Sequence, residues 1–384
     1  MSVKVVPAYG QSTLCDILPA VAAHLGVPGM VDRLGLPAST RYVVLLVDGL
    51  GLGLVRSHLR DAPYFAELFG DALELTSGVP STTATSITCL GTGCPPGVHG
   101  IAGYTFREPA SGVRMNALTW ENGPESVESF QPHDTMFETM AAHGVACTSV
   151  VLPRFAGSGL TRAALRGADF VGLDDDVDGD TRLGAIAAAA AAGDRSCVYV
   201  YERRLDHAGH GRGTASDAWR GVLRLIDEFA ERLRAELPAD VVLLVTGDHG
   251  MVDVPPRTRI VLDDQPGLLD GVDLVAGEAR FRQLYTDTPD AVARRFAAFL
   301  GERAWVLTRE QAVAEEWFGA TPPAMAGRFG DVLVAMRGTW ALMSHDFPQE
   351  FGLVGMHGSL TPEETAVPLF VDGPVRPSPW GARG

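Results

Sequence analysis

Residues 42–48 read YVVLLVD, an unbroken apolar run that ends in an aspartate. Three more apolar runs of strand length follow it, VACTSVVL at 145–152, CVYVY at 197–201 and VVLLV at 241–245. Because none of them alternates apolar with polar residues, each is suited to burial on both faces, as in a parallel sheet covered by helices. The four runs therefore predict a mostly parallel central sheet.

Segments with helical character lie between and after these runs. They occupy about 83–91, 134–143, 181–192 and 214–236. In the last segment, Leu223, Ile226, Phe229 and Leu233 recur at three- and four-residue intervals and form one apolar stripe. Alternation of strands and helices predicts an α/β fold in which helices sandwich the sheet.

The stretch 253–345 differs from the rest of the chain. It opens with Pro255 and Pro256 and continues with segments that resemble a small β-α-β-α-β unit. We interpret it as a small α+β cap inserted into a catalytic domain made of residues 1–252 and 346–384. The loop at 104–132, rich in Gly, Pro, Ser and Glu, is a second irregular segment that is placed to border a pocket.

Composition excludes several classes of protein. The 384 residues are 46% hydrophobic and 20% charged, as in a globular protein. The net charge of −16 argues against binding to duplex nucleic acid, which needs clustered Lys and Arg. No apolar run reaches the ~20 residues that span a bilayer, so no membrane partner is expected. The N-terminus lacks a secretory h-region, and the five cysteines contain no CxxC pair, so we expect a cytoplasmic protein with reduced thiols.

Three aspartates stand at or shortly after the ends of apolar runs. They are Asp48, Asp206 and Asp248. In an open α/β sheet, residues at the carboxyl ends of the strands converge on one ligand site. A single aspartate after a strand is often only a helix cap or turn residue, but three repeats of the pattern favour a site.

Three histidines accompany these aspartates. His210 follows Asp206 by four residues, so on a helix both side chains share one face. His249 is adjacent to Asp248 between glycines, and His357 lies in GMHG. Carboxylate and imidazole groups together suit catalytic zinc. His207 is a competing ligand, although its position on a helix points it away from the Asp206 face.

The segment VPSTTATS contains Thr83 just before a predicted helix. A hydroxyl at a helix N-terminus lies where phosphate oxygens bind, and a neighbouring metal would lower its pKa enough for nucleophilic attack. The alternative is a run of hydroxyl residues that cap the helix. Composition leaves other candidates open as well, and these are Ser81, Thr82, Thr85 and Ser86.

Taken in order, the motifs VDGL, VPSTTATS, GTGCPPGVHGI, LDHAGHGRG, TGDHGM and GMHG resemble the alkaline phosphatase superfamily. The nearest branch is the nucleotide pyrophosphatase/phosphodiesterase family, and the motifs span residues 43 to 358. The resemblance implies two Zn²⁺ ions, although other divalent metals would also fit. One zinc is expected among Asp48, Thr83, Asp248 and His249, and the other among Asp206, His210 and His357. The resemblance also implies that Thr83 is the catalytic nucleophile and forms a phosphothreonine intermediate.

The chain departs from the family pattern beside the nucleophile, where Thr85 and Ser86 replace a Pro-Asn pair. The resemblance then suggests that Ser86, or the backbone N–H of Thr83, binds a nonbridging phosphate oxygen. Tyr104 and Phe106 are candidate substrate-binding residues that could stack on a flat leaving group. Packing of both rings against the sheet is the alternative.

The resulting functional hypothesis is a zinc-dependent phosphodiesterase or nucleotide pyrophosphatase that acts on a small-molecule phosphate ester such as a nucleotide. One alternative is a phosphomonoesterase or phosphonate hydrolase on the same scaffold, because fold does not choose among these reactions. A second alternative is a catalytically silent, metal-stabilised binding protein. The sequence names neither the physiological substrate nor the oligomeric state.

Overall fold

A computed structural model of the chain describes residues 3–175 and 177–373. The predicted catalytic domain includes residues 1–2, 176 and 374–384, which lie outside the described part.

The described residues form seventeen strands and fifteen α-helices, linked by loops and short 3₁₀ turns. The strands are Arg41–Val47 (β1), Leu73–Thr76 (β2), Thr105–Arg107 (β3), Arg114–Asn116 (β4), Ala146–Val151 (β5), Asp169–Gly172 (β6), Ser196–Glu202 (β7), Val241–Gly247 (β8), Val252–Asp253 (β9), Arg259–Val261 (β10), Leu274–Glu278 (β11), Phe281–Tyr285 (β12), Ala304–Thr308 (β13), Val332–Met336 (β14), Ala341–Met343 (β15), Gly355–Met356 (β16) and Ala366–Asp372 (β17). The helices are Ile17–His24 (α1), Leu52–Ser57 (α2), Pro63–Leu68 (α3), Thr83–Thr92 (α4), Pro96–His99 (α5), Val127–Phe130 (α6), Met136–Ala142 (α7), Gly159–Ala164 (α8), Gly179–Ala190 (α9), Arg204–Arg212 (α10), Asp217–Glu236 (α11), Pro289–Leu300 (α12), Arg309–Ala314 (α13), Pro323–Ala326 (α14) and Pro362–Thr365 (α15).

The central sheet has seven strands in the order β2-β17-β8-β1-β7-β5-β6. Strands β8, β1, β7, β5 and β6 run parallel to one another, while β17 runs antiparallel to both β8 and β2. The prediction of a mostly parallel sheet is therefore confirmed. The four apolar runs are its central strands, with bounds shifted by at most a few residues.

The central position of β1 explains why apolar and polar residues do not alternate in its sequence. Tyr42, Val44 and Leu46 lie in the core on one face of the sheet, and Val43 and Leu45 lie in the core on the other face. Helices cover both faces, so both sets of side chains are buried. An unbroken apolar run is the pattern that this layered arrangement requires.

Helix α11 covers one of these faces. It starts where the Ser216 side chain accepts a hydrogen bond from the Trp219 backbone N–H, which caps the first turn. Its apolar stripe is buried, as the spacing of Leu223, Ile226 and Leu233 predicts. This helix fixes the strands that hold the site residues.

Residues 253–345 contain an antiparallel sheet in the order β11-β12-β14-β13. The segments from β12 through α12, β13 and α13 to β14 match the predicted β-α-β-α-β unit. Strand β11 is an additional strand that the sequence pattern did not indicate. The division of the chain into a 253–345 cap and a catalytic domain stays a prediction.

Across residues 3–175 and 177–373, the helices are either too short or too polar to cross a bilayer. All five cysteines are free thiols, and four of them are buried.

Candidate active site

The site lies at the carboxyl ends of three neighbouring strands. Strand β1 lies between β7 and β8, with Val47 paired to Glu202 on one side and to Gly247 on the other. Asp48 follows β1, and Asp248 follows β8, so register alone brings the two carboxylates together. The backbone N–H of Gly49 donates to Asp248 Oδ1 at 3.0 Å and locks the two strand ends.

Helix α10 brings the third aspartate to the same place. Asp206 and His210 lie one turn apart on this helix, and the Asp206 N–H donates to the Asp48 carbonyl at 3.1 Å. Gly49 has φ of +78°, and a Cβ at this position would lie 3.1 Å from Asp206 Cα. Glycine is therefore required for both the backbone angle and the close approach of α10.

The three predicted histidines share one hydrogen-bonding arrangement. The Nδ1 atoms of His210, His249 and His357 lie 2.8–2.9 Å from the carbonyl oxygens of Gly355, Gly250 and Ser81, respectively. A carbonyl only accepts, so each Nδ1 carries the proton and donates it. In the neutral ring the Nε2 lone pair is then free, which is how proteins orient imidazoles that ligate metals.

Two of these free nitrogens converge on Asp206. Its Oδ1 lies 3.3 Å from His210 Nε2 and 3.8 Å from His357 Nε2. Asp206 Oδ1 is buried and has no hydrogen-bond partner among the described residues. When both rings are neutral, these three atoms are all acceptors and face one another with no proton between them. A cation satisfies all three, and the atoms lie within 4.8 Å of one another.

The second convergence surrounds His249. Its Nε2 lies 3.3 Å from Asp48 Oδ1, 3.6 Å from Asp248 Oδ2 and 3.2 Å from Thr83 Oγ1. Asp248 Oδ2 is also buried without a partner in the described part of the chain. Asp206 approaches this group too, since one of its oxygens lies within 4.8 Å of ligand atoms of Asp48 and His249. Asp206 therefore lies between the two groups of ligand atoms.

Electrostatics also favour a cation at this position. Burial raises the pKa of Asp48 well above its ordinary value, and the neighbouring Asp248 and Asp206 raise it further. Burial also raises the pKa of Asp248, an effect that His249 opposes. Burial lowers the pKa of His357 well below its ordinary value, so this ring is neutral. Buried carboxylates crowded against neutral imidazoles are expensive unless they coordinate metal.

Thr83 is the one candidate hydroxyl that lies against these groups. It is the first residue of α4, it is buried, and its Oγ1 lies 3.5 Å from Asp48 Oδ1. Ser81 and Thr85 instead donate to the carbonyls of Ser359 and Ile101. Thr82 precedes the helix as its N-cap and hydrogen-bonds Glu278. Geometry therefore favours Thr83 over the alternatives that composition left open.

A cavity of about 450 Å³ opens beside Thr83. Its walls are formed by helices α4 and α10, by strand β7 and the end of β11, and by three further segments. These segments are residues 104–118, 151–165 and 349–357. The lining side chains are Asp48, Thr82, Thr83, Ile87, Tyr104, Leu118, Val151, Arg154, Phe155, Ser158, Leu160, Thr161, Leu165, Tyr199, Tyr201, Arg203, Asp206, His207, His210, Glu278, Ala279, Gln349, Glu350, Leu353, Met356 and His357.

The structure separates the three predicted substrate-binding residues. Tyr104 lines the cavity. Phe106 does not, because it is fully buried in an apolar core, where its ring stacks on Phe130 with centroids 6.2 Å apart. Ser86 is also fully buried and does not line the cavity, because it faces inward one turn beyond Thr83. Phe106 therefore takes the alternative packing role, and phosphate binding by Ser86 stays a prediction.

Sequence reasoning missed three groups that border the site. Tyr199 and Tyr201 alternate in β7, so both rings point to the face that carries Asp48. That alternation, five and seven residues before Asp206, was the available signal. Glu278 is the last residue of β11, and its Oε2 lies 3.8 Å from His357 Nδ1. Burial raises its pKa well above the ordinary value. No local pattern marks this residue.

A buried ion pair connects the turn between β11 and β12 to the segment that packs on the loop after β8. Arg280 and Glu364 are both fully buried, with Arg280 Nε donating to Glu364 Oε1 at 3.0 Å. The Glu364 carbonyl accepts a hydrogen bond from the Gly250 N–H at 2.7 Å. A Cβ on Gly250 would lie 2.0 Å from the Glu363 carbonyl oxygen, so the loop that carries His249 packs directly on this turn.

A family model matches most of the chain. It is described as type I phosphodiesterase/nucleotide pyrophosphatase and matches residues 42–360. A curated phosphopentomutase from Shewanella denitrificans is 34% identical over 106 residues, which is 27% of this chain. The match spans only 26% of that relative.

Solved structures share the fold. Murine ectonucleotide pyrophosphatase/phosphodiesterase 5, as an inactive threonine-to-alanine variant in complex with AMP, superposes with a TM-score of 0.69 at 17% identity. The human protein of the same name gives a TM-score of 0.68 at 16% identity. Each comparison covers 87% of this chain and 88% of the other. Similarity at this level of identity shows the alkaline-phosphatase-like α/β fold.

Proposed function

The chain belongs to the type I phosphodiesterase/nucleotide pyrophosphatase family, and from that premise we propose that it hydrolyses phosphodiester or pyrophosphate bonds with two zinc ions and Thr83 as nucleophile. One observation carries the proposal. The Nε2 atoms of three imidazoles converge near the Thr83 hydroxyl with two buried oxygens, of Asp206 and Asp248, that have no hydrogen-bond partner among the described residues. This donor set suits zinc, whose ligands are imidazole nitrogens and carboxylate oxygens.

We assign one zinc to Asp48, Thr83, Asp248 and His249, and the other to Asp206, His210 and His357. Zinc bound there would supply positive charge that lowers the pKa of a nearby hydroxyl or water and neutralises charge on the phosphate. The Asp48 and His249 side chains hold the Thr83 hydroxyl at 3.5 and 3.2 Å, respectively, and so fix its direction of attack.

In the first step, Thr83 Oγ1 loses its proton to solvent and forms a bond to phosphorus, while the bond to the leaving alcohol or phosphate breaks and the leaving oxygen takes up a proton from solvent. The backbone N–H groups of the first turn of α4 have no acceptor within the helix, so they are placed to bind a nonbridging oxygen. This assigns the role to the Thr83 backbone rather than to Ser86. In the second step, water attacks phosphorus and releases Thr83.

The substrate proposal is a small phosphate ester, for which a nucleotide is the leading candidate. The murine structural neighbour holds AMP, and Tyr104 borders the cavity here. A panel of nucleoside triphosphates, dinucleotides, nucleotide sugars, simple monoesters and phosphonates, assayed at equal zinc, separates the diesterase proposal from the monoesterase and phosphonate alternatives. Cytoplasmic location also remains a proposal, which cell fractionation tests.

The direct test compares Thr83→Ala with Ser86→Ala, which removes a hydroxyl one turn further along the same helix. Thr83→Ala is expected to abolish hydrolysis of bis-p-nitrophenyl phosphate, with a loss of at least about a thousandfold, while most of the zinc stays bound. Ser86→Ala should keep most of the activity. Near-native turnover by Thr83→Ala would refute the nucleophile assignment. Two bound zincs with no turnover on any ester would support the silent binding protein instead.

A further inference from the structure

The hydroxyl of Tyr201 contacts the site from the side of the central sheet. Tyr201 lies near the end of β7, half-buried at the cavity wall, and its ring meets Phe155 edge-on with centroids 6.1 Å apart. Its hydroxyl donates a hydrogen bond to Asp48 Oδ2. Tyr201 therefore supplies a neutral hydrogen-bond donor to Asp48 Oδ2.

The other oxygen of Asp48 faces the reacting groups. Asp48 Oδ1 lies 3.5 Å from Thr83 Oγ1 and 3.3 Å from His249 Nε2. A carboxylate at the end of a strand can rotate about its Cβ–Cγ bond, which would exchange the two oxygens. A donor fixed to Oδ2 opposes that rotation and keeps Oδ1 directed at Thr83 and His249.

Tyr199 offers a natural comparison. It lies two residues earlier on β7, on the same face, and it also borders the cavity. Its hydroxyl is buried but has no hydrogen-bond partner among the described residues. The two tyrosines therefore share strand, face and chemistry, and differ in whether the hydroxyl holds a carboxylate.

We propose that Tyr201 is a positioning residue that orients Asp48 toward its metal and toward Thr83. The proposal rests on the assignment of Asp48 as a zinc ligand. Groups that hydrogen-bond metal ligands commonly change metal affinity or activity about 10–100-fold when they are removed. An effect of that size is therefore expected from loss of the Tyr201 hydroxyl, which acts through Asp48.

The experiment measures zinc affinity by competition with a chromogenic chelator, together with kcat and KM for bis-p-nitrophenyl phosphate. Tyr201→Phe is expected to weaken binding of one zinc about 10–100-fold and to lower kcat at saturating zinc with little change in KM. Tyr199→Phe is expected to change zinc affinity by less than about twofold, because its hydroxyl has no hydrogen-bond partner in the described part of the chain. Thermal unfolding of the metal-free proteins checks that all variants fold alike.

Replacement of Tyr201 by para-aminophenylalanine, which keeps a donor at the same ring position, should restore most of the zinc affinity. Wild-type zinc affinity and kcat in Tyr201→Phe would overturn the inference. Equal losses in Tyr201→Phe and Tyr199→Phe would overturn it as well, because they would indicate general packing. Absence of zinc binding or turnover in the wild type would instead contradict the proposed function.

Discussion

At the scale of single residues, histidine tautomers decide the chemistry of the site. His210, His249 and His357 each donate from Nδ1 to a backbone carbonyl, and each therefore presents Nε2 to the carboxylates. Another buried histidine, His99, has the opposite arrangement. Its Nδ1 accepts a hydrogen bond from the Ile101 N–H at 3.1 Å, away from the site carboxylates, and its role is structural.

His99 makes folding stability depend on pH. Burial, with Arg328 and His133, lowers its pKa to about 3. In the unfolded chain a histidine has a pKa near 6.5, so protons bind the unfolded state better. Stability is therefore complete above about pH 6.5 and falls as the pH drops toward 3, with a loss of about 2 kcal/mol at pH 5.

Urea unfolding at pH 7.5 and pH 5 measures this effect in the wild type and in His99→Gln. The variant lacks the titrating group, so its difference in unfolding free energy between the two pH values should be smaller by about 2 kcal/mol. All other titrating groups are common to both proteins. An equal pH dependence in the two would contradict the assignment.

The sequence predicted which side chains meet at the site where a suitable residue type occurred at or shortly after the end of a strand, as for Asp48, Asp206 and Asp248. It failed where contacts are long-range. Phe106 and Tyr104 stand two residues apart with similar composition around them, yet only Tyr104 reaches the cavity. Glu278 arrives from another sheet, and nothing near it in sequence indicates the His357 neighbour.

At the scale of elements, α4, which begins with the proposed nucleophile Thr83, packs closely on α8. A Cβ on Gly91 of α4 would lie 1.9 Å from the carbonyl oxygen of Ala164. Gly184 of α9 is exposed, and a Cβ added there would meet no described atom within 4 Å. The same substitution at these two helical glycines therefore has opposite expected effects.

Gly184→Ala should stabilise the protein by about 0.5–1 kcal/mol through helix propensity. Gly91→Ala should destabilise it by about 1–3 kcal/mol, because α4 and α8 must separate. The segment after β5 that includes α8 also lines the cavity, so Gly91→Ala should lower kcat/KM too. Urea unfolding of both variants measures the first two effects. Stabilisation by Gly91→Ala would show that the helices are not in close contact.

Elements with a strong local pattern were predictable, and α11 and β1 are the clearest cases. Strands β2 and β17 were not predicted, because β17 enters the sheet antiparallel between β2 and β8 and each pairing joins distant parts of the chain. Strand β11 was missed for a related reason. Its pairing with β12 defines it more than its composition does.

At the scale of the whole molecule, metal binding and folding should be coupled. The chain carries a net charge of −16, and buried carboxylates meet at the site around a histidine rather than around Lys or Arg. Ions that bind only the folded state stabilise it by about 2.7 kcal/mol at a hundredfold excess over Kd for each site. Zinc should therefore raise the stability of the entire catalytic fold.

Chelation with EDTA is expected to lower the urea midpoint, and added zinc should restore it. His210→Ala removes a ligand of one site only, so it should lose roughly half of the zinc-dependent stabilisation. Equilibrium unfolding with and without zinc gives both values. If EDTA leaves the urea midpoint of the wild type unchanged, these acceptor atoms do not hold a stabilising ion.

Covalent trapping decides whether Thr83 is the nucleophile of a phosphodiesterase. Zinc-loaded protein is mixed rapidly with bis-p-nitrophenyl phosphate, quenched in acid and mapped by peptide mass spectrometry. A p-nitrophenylphosphoryl adduct is predicted on Thr83 in the wild type and in Ser86→Ala, with none in Thr83→Ala. Turnover without an adduct at Thr83, together with activity in Thr83→Ala, would contradict the mechanism.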